Sequence, residues 1–266
     1  MIQNQHNSEH PPCIQRTGKI LANRSIARGC GEIRIGWNGA EIHPSPGQFL
    51  TLAPRRYPLP LLRRPYAYSS ADSSGFGFIY QIRGPGSAEL AELRPGDETD
   101  WLGPLGTGFP PPEPASRPIL IAGGTGIGPI FYLAVALKEH GPLVVTGARE
   151  ANLLPRLHWP PGVHVLPCTE DGSAGIAGTV MDALKETDTS SAEFYTCGPA
   201  PMMEAVHKLA LEQNRPCWVS VEEIMACGVG ACQGCAVSAA DDTGTTYQRA
   251  CLEGPVFNSR KLKWDR

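Results

Sequence analysis

Over the first hundred or so residues the apolar positions come in short runs broken by Gly, Pro and Ser: "EIRIGW", "GQFLTLA", "YAYSS", "GFIYQIRG" and "GDETDWLGPLG". Short runs rich in β-branched and aromatic residues and bounded by turn formers predict an antiparallel β-barrel or sandwich from Gly18 to Trp101. The segment Gly108 to Pro118, "GFPPPEPASRP", then sets five prolines in eleven residues. Proline cannot donate to a sheet ladder, so the first domain boundary is expected there. Past it the period changes. "ILIAGG", "PLVVTGA" and "VHVLPC" read as buried strands, and "GPIFYLAVALKEH", "GTVMDALKET" and "APMMEAVHKLALEQN" as helices. Their alternation implies a parallel sheet with crossovers. Beyond Pro216 lie about fifty residues with four closely placed cysteines and little apolar mass, a unit so small that it ordinarily needs a metal centre to fold.

The expected organisation is multidomain α/β plus β: an antiparallel barrel over residues 1–112, a parallel α/β nucleotide-binding domain over 113–215, and a small C-terminal lobe over 216–266. Pro118 to Leu137 is uncharged for the length of a membrane span. The glycines and proline of "GGTGIGP" would break such a helix in the middle, and a strand, a turn and a buried helix account for the same letters, so no membrane partner is expected.

Composition narrows the chemistry. The chain has 266 residues and a net charge of -3, with no basic field to attract phosphate backbones, so no nucleic-acid partner is expected. Residues 1–12, "MIQNQHNSEHPP", carry neither an apolar core nor a small-residue cleavage site, which predicts a cytoplasmic protein. Nine cysteines in a reducing compartment point to metal binding or redox work for those that cluster.

They cluster at Cys227, Cys232 and Cys235, with Cys251 following after fifteen intervening residues. Four-then-two spacing with a distant fourth ligand is the plant-type [2Fe-2S] arrangement, whereas zinc modules present two separated close pairs. Glycines at 228, 230 and 234 let the loop turn tightly and aim backbone N–H groups at the sulfides.

Upstream, "ILIAGGTGIGPI" sets Gly123, Gly124, Thr125, Gly126 and Gly128 between a predicted strand and a helix, where backbone amides and a helix N-terminus can approach a pyrophosphate. In "FYTCGPAPMMEAV" a second predicted strand ends at Cys197, Gly198 and Pro199 before another helix. Two strand ends opening on one cleft suit a dinucleotide; the alternative for Cys197 is a small buried residue at a strand end. In the barrel half, Arg64 with Tyr66 and Tyr68, and the Gly84 to Ser87 turn, suit a diphosphate and a flat ring, although a solvated arginine and core tyrosines would look the same.

Taken in order, "PGQFLTL", "LLRRPYAYSS", "GPGSAEL", "PGDETDWLGPLGTGF", "GGTGIGPI", "EDGSAGIAGTVMDAL", "YTCGPAPMMEAV", "EEIMACGVGACQGCAV" and "CLEGPVF" resemble the ferredoxin-NADP reductase superfamily. Within it they resemble the electron-transfer subunits of NAD-dependent dihydroorotate dehydrogenases, over Gly18 to Phe257. The resemblance implies FAD in the barrel, NAD in the α/β unit, and a [2Fe-2S] cluster held by Cys227, Cys232, Cys235 and Cys251. It implies Arg64 at the FAD phosphates, Pro65, Tyr66 and Ala67 along the isoalloxazine, a second flavin contact at Ile79, Tyr80 and Gln81, and a diphosphate turn at Gly86 and Ser87. Gly123, Gly124, Thr125, Gly126 and Gly128 with Gly198 and Pro199 correspond to its nicotinamide nucleotide site, and Cys197 to the candidate catalytic residue. Ala67 stands where a serine is usual and Gln81 where a basic residue is usual. The implied partner is an FMN-containing catalytic subunit that oxidises dihydroorotate, two relay subunits sitting on a catalytic dimer. Two alternatives stay open: a subunit of an NADH-dependent ferredoxin or sulfide reductase, in which the first cluster ligand is often an aspartate, and a non-enzymatic zinc or redox-sensing module.

Overall fold

In the computed structural model, which describes residues 13–39, 42–53, 62–241 and 244–264, the short apolar runs become six strands. They are β1 (Ile14–Ala27), β2 (Cys30–Gly36), β3 (Phe49–Leu52), β4 (Arg64–Asp72), β5 (Gly75–Gln81) and, after helix α1 (Pro85–Ala91), β6 (Glu98–Leu105). They close in the order β1-β2-β5-β4-β3-β6, every neighbour antiparallel. Closure leaves no edge strand to cap. The interior is aromatic. The ring centroids of Trp37 and Phe76 are 4.7 Å apart and those of Phe76 and Trp101 5.1 Å, and Phe76, Trp101 and Tyr68 are fully buried. Residues 1–12, on which the expectation of no signal sequence rests, lie outside the described residues.

After the proline segment come β7 (Arg117–Gly123), α2 (Ile127–Ala136), β8 (Leu143–Ala148), β9 (His164–Thr169), β10 (Ile176–Ala177), α3 (Val180–Lys185), β11 (Ala192–Cys197) and α4 (Ala200–Glu212). Then follow β12 (Cys217–Ser220), β13 (Ala236–Asp241), β14 (Gly244–Arg249) and β15 (Val256–Asn258). One sheet runs β10-β9-β8-β7-β11-β12-β15, parallel except for β15, which returns antiparallel on β12. Its strands read as continuous apolar runs because both faces are covered: Ile119, Leu120 and Ile121 are all fully buried. The strand order reverses between β7 and β11. Ligands of open parallel sheets bind outside the carboxyl ends of the strands at such a switch point, and those ends here are Gly123 and Cys197.

The uncharged stretch from Pro118 to Leu137 is β7, a tight turn and α2, and no described helix is long and apolar enough to cross a membrane. Sheet pairing continues past residue 216, where the C-terminal lobe was expected to begin. β12 lies beside β11, with Cys197 opposite Ser220, and β15 pairs with β12, with Ser220 opposite Val256. The cysteine loop and the β13–β14 hairpin are therefore strung between two adjacent strands, and at the neck the Val221 N–H donates to the Pro255 carbonyl at 2.9 Å.

The barrel and the sheet meet along α2. A Cβ on Gly128 would lie 3.6 Å from that of Ile79, ordinary contact distance, and the Tyr132 hydroxyl donates to the Pro44 carbonyl at 2.7 Å. The cysteine loop also rests on the barrel. A Cβ on Gly228 would approach the Thr51 methyl to 3.1 Å, and the Thr107 N–H donates to the Gly254 carbonyl at 2.6 Å.

Candidate functional site

Where barrel, sheet and neck converge there is one cleft. From the barrel it takes Pro65, Tyr66 and Ala67 of β4, Ile79, Tyr80 and Gln81 of β5, and Arg83 just beyond. From the sheet it takes Thr125, Cys197 and Ser220, and from the neck Glu222, Glu223, Met225 and Pro255. Both sequence segments expected to touch a flat ring thus face the turn expected to touch a nucleotide. Tyr66 stacks on Phe78 at 4.6 Å, and burial pushes its hydroxyl up to about 12, so the phenol stays neutral against the cleft. An apolar wall with an aromatic plate and one guanidinium fits a planar tricyclic ring bearing a diphosphate.

Other expected residues sit outside this lining. Arg64 opens β4 and donates from Nη1 to the Leu62 carbonyl at 2.5 Å. Gly86 and Ser87 lie in the first turn of α1, where the Ser87 Oγ accepts the backbone N–H groups of Arg83 at 2.8 Å and Gly84 at 3.2 Å. Gly198 and Pro199 line a second cleft, which shares Val221, Glu222 and Glu223 with the first and is closed by Leu262 and Trp264.

The glycines of the nucleotide turn divide into two kinds. Gly124 has a φ of +56° and nothing within 4 Å of a Cβ built on it, so it offers open backbone to a ligand. Gly126 has no such room. A Cβ there would fall 2.1 Å from the Cys197 carbonyl oxygen, and one on Gly123 would meet Pro199 and Met202 at 2.9 Å. These two serve the interlocking of the two strand-end turns.

Cys197 is buried at the centre of this junction. Burial pushes its thiol well above the ordinary range and the nearby Glu222 carboxylate adds to the effect, offset in part by a hydrogen bond with Ser220. It is held as a neutral thiol. The Thr125 hydroxyl donates to Glu222 Oε1 at 3.1 Å, which ties the nucleotide turn to the neck.

Among the four clustered cysteines, Cys232 acts on the Cys227 thiol and Cys235 on that of Cys251, which divides them into two pairs. Among the described residues no three Cys, His, Asp or Glu side chains gather as a site for a single ion. Two thiols for each of two irons is the donor set a binuclear cluster needs. Backbone donors point at the sulfurs: Gly230 N–H to Cys251 Sγ at 3.1 Å, Cys232 N–H to Cys227 Sγ at 3.4 Å, and Val229 and Gly234 N–H to Cys227 and Cys232 at 3.5 Å. Burial would raise the Cys227 thiol, but the donors from Val229 and Cys232 outweigh it and bring it down to about 6. Cys251 goes the other way, to about 12, through burial and the adjacent Cys235 thiol. It must therefore lose its proton as metal enters. The Gly230 and Gly234 N–H groups thus point at cysteine sulfurs, while Gly228 provides the close approach to the barrel.

Reading the sequence misses Arg83, Glu222, Met225 and Arg249. Arg83, two residues past the unusual Gln81, donates from Nε to its side-chain oxygen at 2.8 Å, so the basic residue missing at 81 has a neighbour on the same wall. Glu222 has no local signal, because an acidic pair before a loop reads as solvated surface. Arg249 clamps the cysteine loop: Nη1 donates to the Gly230 carbonyl at 3.0 Å, while the rest of its head group and its backbone N–H engage Glu253.

The family model described as the iron-sulfur cluster binding domain of dihydroorotate dehydrogenase B matches residues 222–263. Among curated relatives, the dihydroorotate dehydrogenase B (NAD(+)) electron transfer subunit of Caldanaerobacter subterraneus subsp. tengcongensis is 35% identical, covering 90% of this chain and 94% of that one. That of Listeria monocytogenes serovar 1/2a is 37% identical over 82% and 87%. Among solved structures, an NADH-dependent reduced ferredoxin-NADP oxidoreductase superposes with a TM-score of 0.80 at 28% identity, covering 93% and 90% of the two chains. The Amycolatopsis cytochrome P450 reductase GcoB shares the fold, with a TM-score of 0.65 at 23% identity over 76% and 67%.

Proposed function

Because this chain belongs to the family of dihydroorotate dehydrogenase B (NAD(+)) electron transfer subunits, we propose that it relays electrons from the FMN of a dihydroorotate-oxidising catalytic subunit to NAD, in pyrimidine biosynthesis. It is an oxidoreductase component that uses FAD, a [2Fe-2S] cluster and NAD. When bound, the flavin supplies the link between a cluster that moves one electron and a nicotinamide that takes two as hydride.

The observation that carries this reading is the convergence of all three units on one cleft: the neck of the cysteine loop lines it beside the barrel residues Tyr66 and Ala67 and the sheet residues Thr125 and Cys197. In this reading Pro65, Tyr66, Ala67, Ile79, Tyr80 and Gln81 hold the flavin ring, and Arg64, Arg83, Gly86 and Ser87 serve its diphosphate. Gly124 and the turn around it take the nucleotide, and Cys197 packs as a neutral thiol against the reacting rings. Gly123, Gly126, Gly128, Gly198 and Pro199 shape that turn. Cys227, Cys232, Cys235 and Cys251 hold the cluster, with the loop N–H groups stabilising the added electron. The protein is cytoplasmic, independent of membrane and nucleic acid, and assembles as two relay subunits on a catalytic dimer. The division at 112 and 215 into flavin, nucleotide and cluster domains describes which cofactor each stretch serves.

Co-purification from native cells, cofactor analysis and reconstitution with a dihydroorotate-oxidising FMN subunit test the proposal together. The expected result is bound FAD and iron, a stable complex, and NADH formed from dihydroorotate. A protein without flavin or iron bands rejects the relay. One that carries both, yet forms no complex with the FMN subunit and leaves NAD unreduced, belongs with the ferredoxin-linked reductases instead.

A further inference from the structure

The charged groups lining the cleft are distributed unequally. Among the described residues its barrel wall carries one guanidinium, Arg83, whose Nε is bonded to Gln81, and the neck carries two carboxylates, Glu222 and Glu223. Glu222 is fastened to the nucleotide turn by the Thr125 hydroxyl at 3.1 Å, and its charge reaches the Cys197 thiol. Cys197 in turn lies opposite Ser220 across the β11–β12 pairing, so Thr125, Cys197, Ser220 and Glu222 form one polar corner of the cleft.

A nicotinamide ring changes charge in the reaction. The oxidised ring bears a formal positive charge that the arriving hydride cancels, while the rest of the dinucleotide is unaltered. We propose that Glu222 makes the cleft select the oxidised nicotinamide over the reduced one, with Thr125 as the positioning residue that holds its carboxylate toward the ring. The inference rests on the reading that NAD enters this cleft. It assigns a consequence to Glu222, which sequence patterning leaves as surface. A fixed negative charge attracts the cationic acceptor, and the attraction vanishes when hydride arrives, so product leaves more readily than substrate.

The test is binding to the full-length, FAD- and cluster-loaded protein, measured by calorimetry without turnover. The probes are NAD, tetrahydro-NADH (whose uncharged ring cannot donate hydride) and ADP-ribose, which lacks the ring. Glu222→Gln keeps the shape and removes the charge. It is expected to weaken NAD by about five- to tenfold, the effect of one partly screened charge at contact range, while the other two probes change by less than about twofold. Thr125→Val is expected to show the same pattern at smaller size, and added salt to shrink the preference in the wild type. Equal weakening of NAD and tetrahydro-NADH by Glu222→Gln, or no change in either, overturns the proposal. A wild-type protein that binds none of the three overturns the nucleotide reading itself, which ADP-ribose reports separately from ring charge.

Discussion

Gly126 stands so close to Cys197 that the smallest side chain on it would fall 2.1 Å from the cysteine's carbonyl oxygen. The two strand-end turns of the switch point are thus keyed into each other backbone to backbone. The position of Cys197 in the cleft depends on a residue that offers no functional group of its own.

Gly126→Ala should therefore act through packing. The clashing atoms are backbone and cannot swing aside, so a loss of about 2–3 kcal/mol is expected, with a lowered melting temperature and weaker nucleotide binding. Gly124→Ala, which meets nothing within 4 Å but sits at a φ of +56°, should cost only about 1–2 kcal/mol. Thermal melts beside ADP-ribose titrations separate the two. Equal destabilisation by both would refute the division of labour.

Replacing Cys232 or Cys251 with serine removes one member of a different thiol pair in each case. Both variants should lose the iron–sulfur absorption while keeping FAD, since the barrel is built without the cysteine loop. Iron and flavin analysis of the purified variants decides it. Unchanged iron content in either one would remove that residue from the ligand set.

Arg249 offers a test of loop support apart from ligation. Arg249→Met should leave iron stoichiometry near wild type when freshly loaded but speed cluster loss under air or chelator, because the Gly230 carbonyl loses its clamp and the N–H from Gly230 to Cys251 loosens. The decay of visible absorption with time reports it. A variant that loses its cluster no faster than wild type shows that Glu253 and the turn suffice.

What the sequence reveals and conceals follows from range. The cluster ligands are legible because three of the four lie in nine residues, and loop chemistry at that distance depends on spacing alone. The barrel is legible from its short alternating runs. Cys217–Ser220 is a different case. Four residues after a proline carry too little pattern to announce a strand, and membership of the sheet comes only from pairing with β11 and β15. The roles of Gly126 and Glu222 are likewise decided by partners about seventy and about a hundred residues away, which no local pattern encodes.

Buried thiols also set a pH limit. Burial pushes Cys217 from its ordinary 9.0 up to about 12. Between those values the unfolded chain gives up the proton and the folded chain keeps it, so this contribution is fully present below pH 9 and is lost as pH rises toward 12. The slope is about 1.4 kcal/mol per pH unit for this thiol. Denaturant midpoints measured from pH 8 to about 10.5 should fall in wild type and fall less steeply in Cys217→Val. Parallel curves would assign the alkaline limb to other groups.

Both ends of the cysteine segment are anchored in neighbouring strands, Ser220 paired with Val256 and the Val221 N–H bonded to the Pro255 carbonyl. The segment is therefore topologically an inserted hairpin, with entrance and exit at the same point of the sheet edge. The path of the seven strands is the same with or without this cassette, yet the cassette is no mere appendage: its Val237, Ala250 and Cys251 pack into the same core as Ile119 and Phe194 of the sheet.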